Sequence, residues 1–198
     1  MNTKQRRDDP RIARTRARAL EVTLELAGDC GIHACTFDAV SERSGIARST
    51  LYRHWNNQAE LVIEAITSQT LDMHRVDPDT GSLRDDMLSD MLGLGWALEN
   101  ATWGAMVPQL VAAASTDPDM SAIHREQSEY YMGRYTRIIE RAKGRGEVAK
   151  DIDSSHAGML FVTPIFYRYL LARRPLDGKW ITSHVDKTVA LLCQRSQG

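Results

Sequence analysis

Between residues 48 and 54 the chain places Arg48, Ser49, Thr50, Tyr52, Arg53 and His54 almost side by side. Arginine carries a planar fork of N–H donors that matches paired acceptors, while hydroxyl and imidazole groups supply single hydrogen bonds. On a helix of about two turns, such a set can set its N-terminal side chains against base edges in a major groove while flanking donors hold phosphates. Arg48 and Ser49 stand at that N-terminal end. Arg48 suits a bidentate contact to guanine, and Arg53, one turn on, suits a base or the backbone. Thr50, Tyr52 and His54 suit phosphate or thymine. The plain alternative for these three is a capped, solvated helix.

The elements that must position these residues can be read around them. From Arg11 to Cys30, Ala13, Ala17, Leu20, Leu24 and Ala27 recur at steps of three and four, the stripe of an amphipathic helix ended by Gly31. Thr36 is a candidate cap for a short helix over Phe37 to Ser44, with Asp38 complementing the positive end of its dipole and Gly45 stopping it. A second short helix then runs from Arg48 to His54, with Ile46, Leu51 and Trp55 available to pack inward. Two short helices around a glycine turn make a helix-turn-helix. Asn57 with Glu60 has capping-box spacing for a fourth helix through Leu61, Ala65, Ser68 and Leu71, and the turn-rich Asp77–Gly81 stretch closes a first domain at about residue 76.

Charge supports a local grip on a polyanion. Residues 1–18 hold Lys4, Arg6, Arg7, Arg11, Arg14, Arg16 and Arg18 against Asp8 and Asp9, an excess of five positive charges in a chain whose net charge is −1. A basic arm ahead of an acidic body is expected where one end meets nucleic acid. A solvated, frayed terminus would have the same composition.

Residues 77–198 read as a larger helical bundle. Leu83, Met87, Met91 and Leu94 mark one helix, Trp103 to Ala114 a second containing Pro108, and Asp117-Pro118-Asp119 opens a long one ending before Gly144. Asp153 or Ser154 caps a segment, Ala157 to Leu171, that is apolar on every face, so a second chain is expected against Met159, Val162, Phe166 and Leu170. A last helix from about Lys179 to Gln194 puts Ile181, Val185, Thr188 and Leu192 on one stripe, able to join an intersubunit four-helix bundle. The fold expected is all-α, with about nine helices. Met87, Met91, Trp96, Trp103, Met106, Tyr131, Tyr135 and Phe161 form a Met- and aromatic-rich set that could line an adaptable apolar pocket, although helical cores contain the same residues.

Composition and motifs point away from other classes. With 198 residues, 42% hydrophobic and 26% charged, the chain is an ordinary globular protein, neither a uniformly basic coat nor an acidic disordered tail. No apolar stretch is long enough to span a bilayer, and no secretory signal follows the arginine-rich start, so no membrane partner and a cytoplasmic location are expected. The three cysteines, Cys30, Cys35 and Cys193, suit a reducing compartment as small buried hydrophobes, and a Cys30–Cys35 redox switch would need an accessible, electropositive site. No metal-ligand spacing, phosphate loop or nucleophile elbow is present, so no metal, cofactor or enzymatic activity is expected.

The run Thr36-Phe37-Asp38-Ala39-Val40-Ser41-Glu42-Arg43-Ser44-Gly45-Ile46-Ala47-Arg48-Ser49-Thr50-Leu51-Tyr52-Arg53-His54-Trp55, continuing through Asn57 to Leu61, resembles the DNA-binding signature of the tetracycline-repressor family. The tracts Arg145-Gly146-Glu147-Val148, Asp151-Ile152-Asp153 and Pro164–Arg168 resemble the closing helices of such regulators. The resemblance implies a homodimer that binds a palindromic operator in duplex DNA, most simply as a repressor, and releases it when a small effector enters the C-terminal domain. An activator or a ligand-blind regulator would share the same first domain. A helical-bundle enzyme or interaction module with a degenerate helix-turn-helix is the alternative from a different class. Two positions depart from the family pattern: Gln58 replaces a usual phosphate-binding lysine, and Ala47 a frequent capping serine. Arg6, Arg7, Arg11 or Arg14 could offset the first loss by reaching the backbone or minor groove.

Overall fold

The computed structural model describes residues 10–73 and 77–193. Among them the chain forms nine α-helices and no strand. They are α1 (Pro10–Cys30), α2 (Phe37–Ser44), α3 (Arg48–His54), α4 (Gln58–Met73), α5 (Leu83–Asn100), α6 (Thr102–Ala114), α7 (Pro118–Gly144), α8 (Ser154–Phe166) and α9 (Gly178–Cys193). A 3-10 turn, Ile32–Ala34, joins α1 to α2, and a π-helical turn, Tyr167–Leu171, follows α8. No helix among the described residues is long and apolar enough to cross a membrane.

Two compact units divide the chain, and the division is not a single cut. The first takes the described residues up to Asp72 together with Met106–His124, and the second takes Met73–Ala105 with the residues from Arg125 onward. The expected second domain thus gives part of α6 and the start of α7 to the first unit.

In the first unit, α1 buries Ala19, Val22, Thr23, Leu26 and Ala27. This corrects the stripe expected from sequence: Ala13 and Ala17 are exposed and Leu20 and Leu24 half-buried. Small alanines fit either face of a helix, so their spacing did not decide the phase; Val22 and Leu26 do. In α6, Met106, Val107, Leu110 and Ala113 are buried. Gln109 Oε1 accepts the backbone N–H of Ile32 at 3.2 Å, supplying a partner to the turn after α1. Cys35 is buried, and burial pushes its thiol up to about 11, whereas Cys30 is exposed rather than buried as expected.

In the second unit α9 packs along α5 and α8. Gly95 faces Ile181 there: a Cβ would lie 2.6 Å from Ile181 Cδ1, so any larger residue would require that methyl group to shift. Ile181, Val185, Thr188 and Leu192 are all buried within the chain, as is Val162. The expectation that these five face a partner is therefore corrected: the apolar stripe of α9 is used inside its own subunit. Pro164 lies inside α8, and beyond it the ladder widens to the π-helical turn, where the Ala172 N–H donates to Tyr167 O at 2.9 Å.

One face of α7 carries Arg134, Arg137 and Arg141, which hold the segment after α4. Arg134 Nη1 lies 2.9 Å and Arg137 Nε 2.8 Å from the Asp77 carboxylate, and Arg141 Nη2 donates to Pro78 O at 2.6 Å. Arg134 also reaches Asp90 of α5 at 2.5 Å, where both side chains are buried. The hydrogen bond from Arg137, together with the neighbouring guanidinium charges, holds the Asp77 carboxyl below the usual carboxylate range.

Candidate nucleic-acid interface

The turn between α2 and α3 is fixed by local hydrogen bonds. Thr36 Oγ1 accepts the Ala39 N–H at 3.1 Å, capping α2. At its other end Gly45 adopts φ 73°, a left-handed conformation that costs glycine little, and its N–H donates to Ser41 O at 2.9 Å. Ser44 Oγ then takes the Ile46 N–H at 3.1 Å. At the start of α3, Ala47 supplies no side-chain acceptor, so the capping interaction common in the resembling family is missing here.

The inward side of α3 is firmly seated. Leu51 is 0% and Trp55 2% exposed. Trp55 Nε1 donates to Glu64 of α4 at 2.7 Å, and Arg16 of α1 donates to the same carboxylate through Nε at 2.8 Å and Nη2 at 2.6 Å. The Arg16 guanidinium also lies 5.3 Å from the Trp55 ring centroid. One carboxylate thus ties α1 and α4 to the end of α3. Asn57 Oδ1 accepts the Glu60 N–H at 2.9 Å, while Glu60 reaches back to the Asn56 N–H at 2.7 Å, a capping arrangement displaced by one residue. Hydrogen bonds from the Asn56 side chain and backbone hold the Glu60 carboxyl below its ordinary range.

The outward side of α3 presents the donors expected of it. Arg48, Ser49, Tyr52 and Arg53 are exposed, and Thr50 and His54 are half-buried. The Tyr52 ring meets Phe37 edge-on at 4.5 Å, which fixes its direction beside a cleft of about 300 Å3 lined by Thr36, Asp38 and Asn56. Burial, then the nearby Arg16 charge and Arg53, push His54 below its ordinary value, against an opposing pull from Glu64. Arg11 and Arg14 are exposed on the first turns of α1, whereas Lys4, Arg6 and Arg7 lie outside the described residues. Arg48 Nε lies 2.8 Å from Asp38 Oδ1, with both side chains 62% exposed. Sequence reading gave Asp38 only a dipole role and Arg16 only a place in the basic arm; the Arg16–Glu64 partnership spans 48 residues and leaves no periodic signal.

Residues 19–65 match the bacterial regulatory proteins of the tetR family, and residues 77–188 match the tetracyclin repressor-like C-terminal domain. The chain belongs to the tetracycline-repressor family of helix-turn-helix transcriptional regulators. It is 28% identical over 177 residues to the DNA-binding transcriptional repressor TetR of Mycobacteroides abscessus, covering 89% of this chain and 92% of that one. It is 31% identical over 147 residues to the HTH-type transcriptional regulator AqdR of Rhodococcus erythropolis, covering 73% and 69% of the two chains. In structure it is similar to the TetR family transcription regulator SCO0332, with a TM-score of 0.76 at 24% identity over 90% of this chain and 98% of that one. The Flavonoid-responsive Regulator FrrA shares the fold at a TM-score of 0.71 and 16% identity, over 92% and 97% of the chains.

The other expected sites are placed less uniformly. Met87, Met91, Tyr135 and Phe161 are buried in the second unit, Trp103 and Tyr131 are half-buried, and Trp96 is 58% exposed, which corrects its expected place lining an apolar pocket. Met106 is buried and is assigned to the first unit. Of the residues expected at a subunit interface, Met159 is exposed and Phe166 and Leu170 are half-buried; Tyr167, Leu171 and Leu191, not singled out from sequence, are exposed as well.

Proposed function

We propose that this tetracycline-repressor family member is a dimeric repressor that occupies a palindromic operator and leaves it when a small molecule binds the second unit. The observation that carries the reading is α3 itself: Leu51 and Trp55 seat one side, so Arg48, Ser49, Tyr52 and Arg53 are presented together on the other. A helix held this way can lie in a major groove with Arg48 on a guanine edge, Arg53 on a base or the backbone, and Thr50, Tyr52 and His54 on phosphates. The repressor named among the relatives supports repression as the output. Exposed Met159, Tyr167, Leu171 and Leu191 supply apolar surface for a second copy, whose α3 would reach the next groove about 34 to 36 Å away. One fold neighbour is a flavonoid-responsive regulator, in keeping with a small-molecule effector.

The test is to enrich a randomised duplex pool with the full chain, then measure binding stoichiometry and salt dependence on the winning duplex. Two protomers per duplex, a palindromic consensus and an affinity that falls steeply with salt are expected. Single subunits in solution, or equal affinity for every duplex, would overturn the reading.

A further inference from the structure

Asp38 sits in the first turn of α2, yet its carboxylate is directed at the first residue of α3. Arg48 Nε lies 2.8 Å from Asp38 Oδ1, an ion pair made through the inner nitrogen of the guanidinium, and an arginine carries further N–H donors on Nη1 and Nη2 that can meet another pair of acceptors. Those donors match O6 and N7 of guanine. An arginine is a long, rotamer-rich side chain that must be ordered on binding, and a neighbouring carboxylate biases where its guanidinium lies. The carboxylate has a second effect. At 62% exposed it places a negative charge beside the groove-facing residues, so it opposes indiscriminate contact with phosphates.

We infer that Asp38 is a positioning residue that sets sequence discrimination: it presents Arg48 to one guanine per half-site and suppresses binding to unrelated DNA. The inference rests on the DNA-reading role proposed for Arg48.

The experiment uses the duplex enriched by the wild-type chain, the same duplex with 7-deazaguanine at one guanine at a time, and an unrelated duplex of equal length. Wild-type protein should lose about tenfold in affinity when the guanine read by Arg48 lacks N7. In Asp38→Asn that penalty should shrink severalfold while affinity for the unrelated duplex rises severalfold. In Arg48→Ala the penalty should vanish, and adding Asp38→Asn should then change nothing at that guanine. Each variant should match the wild type in helix content by circular dichroism and in thermal midpoint. An unchanged 7-deazaguanine penalty in Asp38→Asn, or an equal effect of Asp38→Asn with and without Arg48, would overturn the inference. An Arg48→Ala variant that keeps the full penalty would instead overturn the role of Arg48.

Discussion

Two arginine–aspartate pairs in this molecule share one chemistry and differ in their surroundings. Arg48 and Asp38 are each 62% exposed, whereas Arg134 and Asp90 leave 9% and 1% of their side chains exposed. An exposed pair gains little over water and can exchange its partner for another acceptor at small cost. A buried pair has already lost its hydration, so neither member can leave without stranding the other. The same two residue types therefore form an exchangeable pair in the first unit, which suits the recognition role proposed for Arg48, and an architectural pair in the second. Burial, not composition, decides which.

The comparison breaks most directly at Arg134. Replacing it by Ala should cost about 3 to 5 kcal/mol, since Asp90 would be left as a buried charge and Asp77 would lose a partner. Thermal unfolding should show it as a fall of the order of 10 °C, while Arg48→Ala should stay within about 0.5 kcal/mol of the parent. Equal losses at the two sites would erase the distinction. A smaller effect is expected at Glu64→Ala, which removes the shared acceptor of Arg16 and Trp55 and leaves the indole N–H of buried Trp55 without that partner. Denaturant titration should register about 1 to 2 kcal/mol, and duplex affinity should fall with it because the end of α3 loses its anchor.

Ala47→Ser sharpens the picture from the other direction. Restoring a side-chain acceptor at the start of α3 should stabilise the protein by about 0.5 to 1 kcal/mol, read as a raised midpoint in the same titration. The gentlest effect is one of pH. His54 is held below its ordinary value of 6.5, chiefly by burial and then by Arg16, so it is neutral at neutral pH. A phosphate brought alongside would favour the protonated ring, so duplex affinity should rise as pH falls from about 7 toward 6. His54→Gln should flatten that slope. For folding alone the sign is opposite. The unfolded chain takes up the proton more readily, so the contribution of His54 is full above 6.5 and declines as pH falls through the lower folded value.

The helix-turn-helix was legible because its signals are local. Thr36, Gly45 and Asn57 act within four residues of themselves: Thr36 starts α2, Gly45 ends it, and Asn57 caps the start of α4. Asp153 likewise caps α8, accepting the His156 N–H at 2.6 Å. What the sequence did not disclose depends on partners distant along the chain. The stripe of α9 is apolar for either an internal or an external neighbour, and only its burial beside α5 and α8 shows which it has. The alanines of α1 misdirected the choice of its inner face because a methyl group tolerates both sides. Asp38 looked sufficient as a dipole complement, and nothing in the spacing shows a carboxylate turning toward a residue ten positions on.

The first unit owes part of its interior to Met106, Val107, Leu110, Ala113 and Met120, and the N–H of Ile32 to Gln109. A head excised at residue 76 would shed all of these. Any chimera that transplants the reading head of one relative onto the body of another must carry both stretches across the splice, or inherit a module with an open flank. Evolution by domain shuffling meets the same obstacle, which favours retuning α3 in place over exchanging it wholesale.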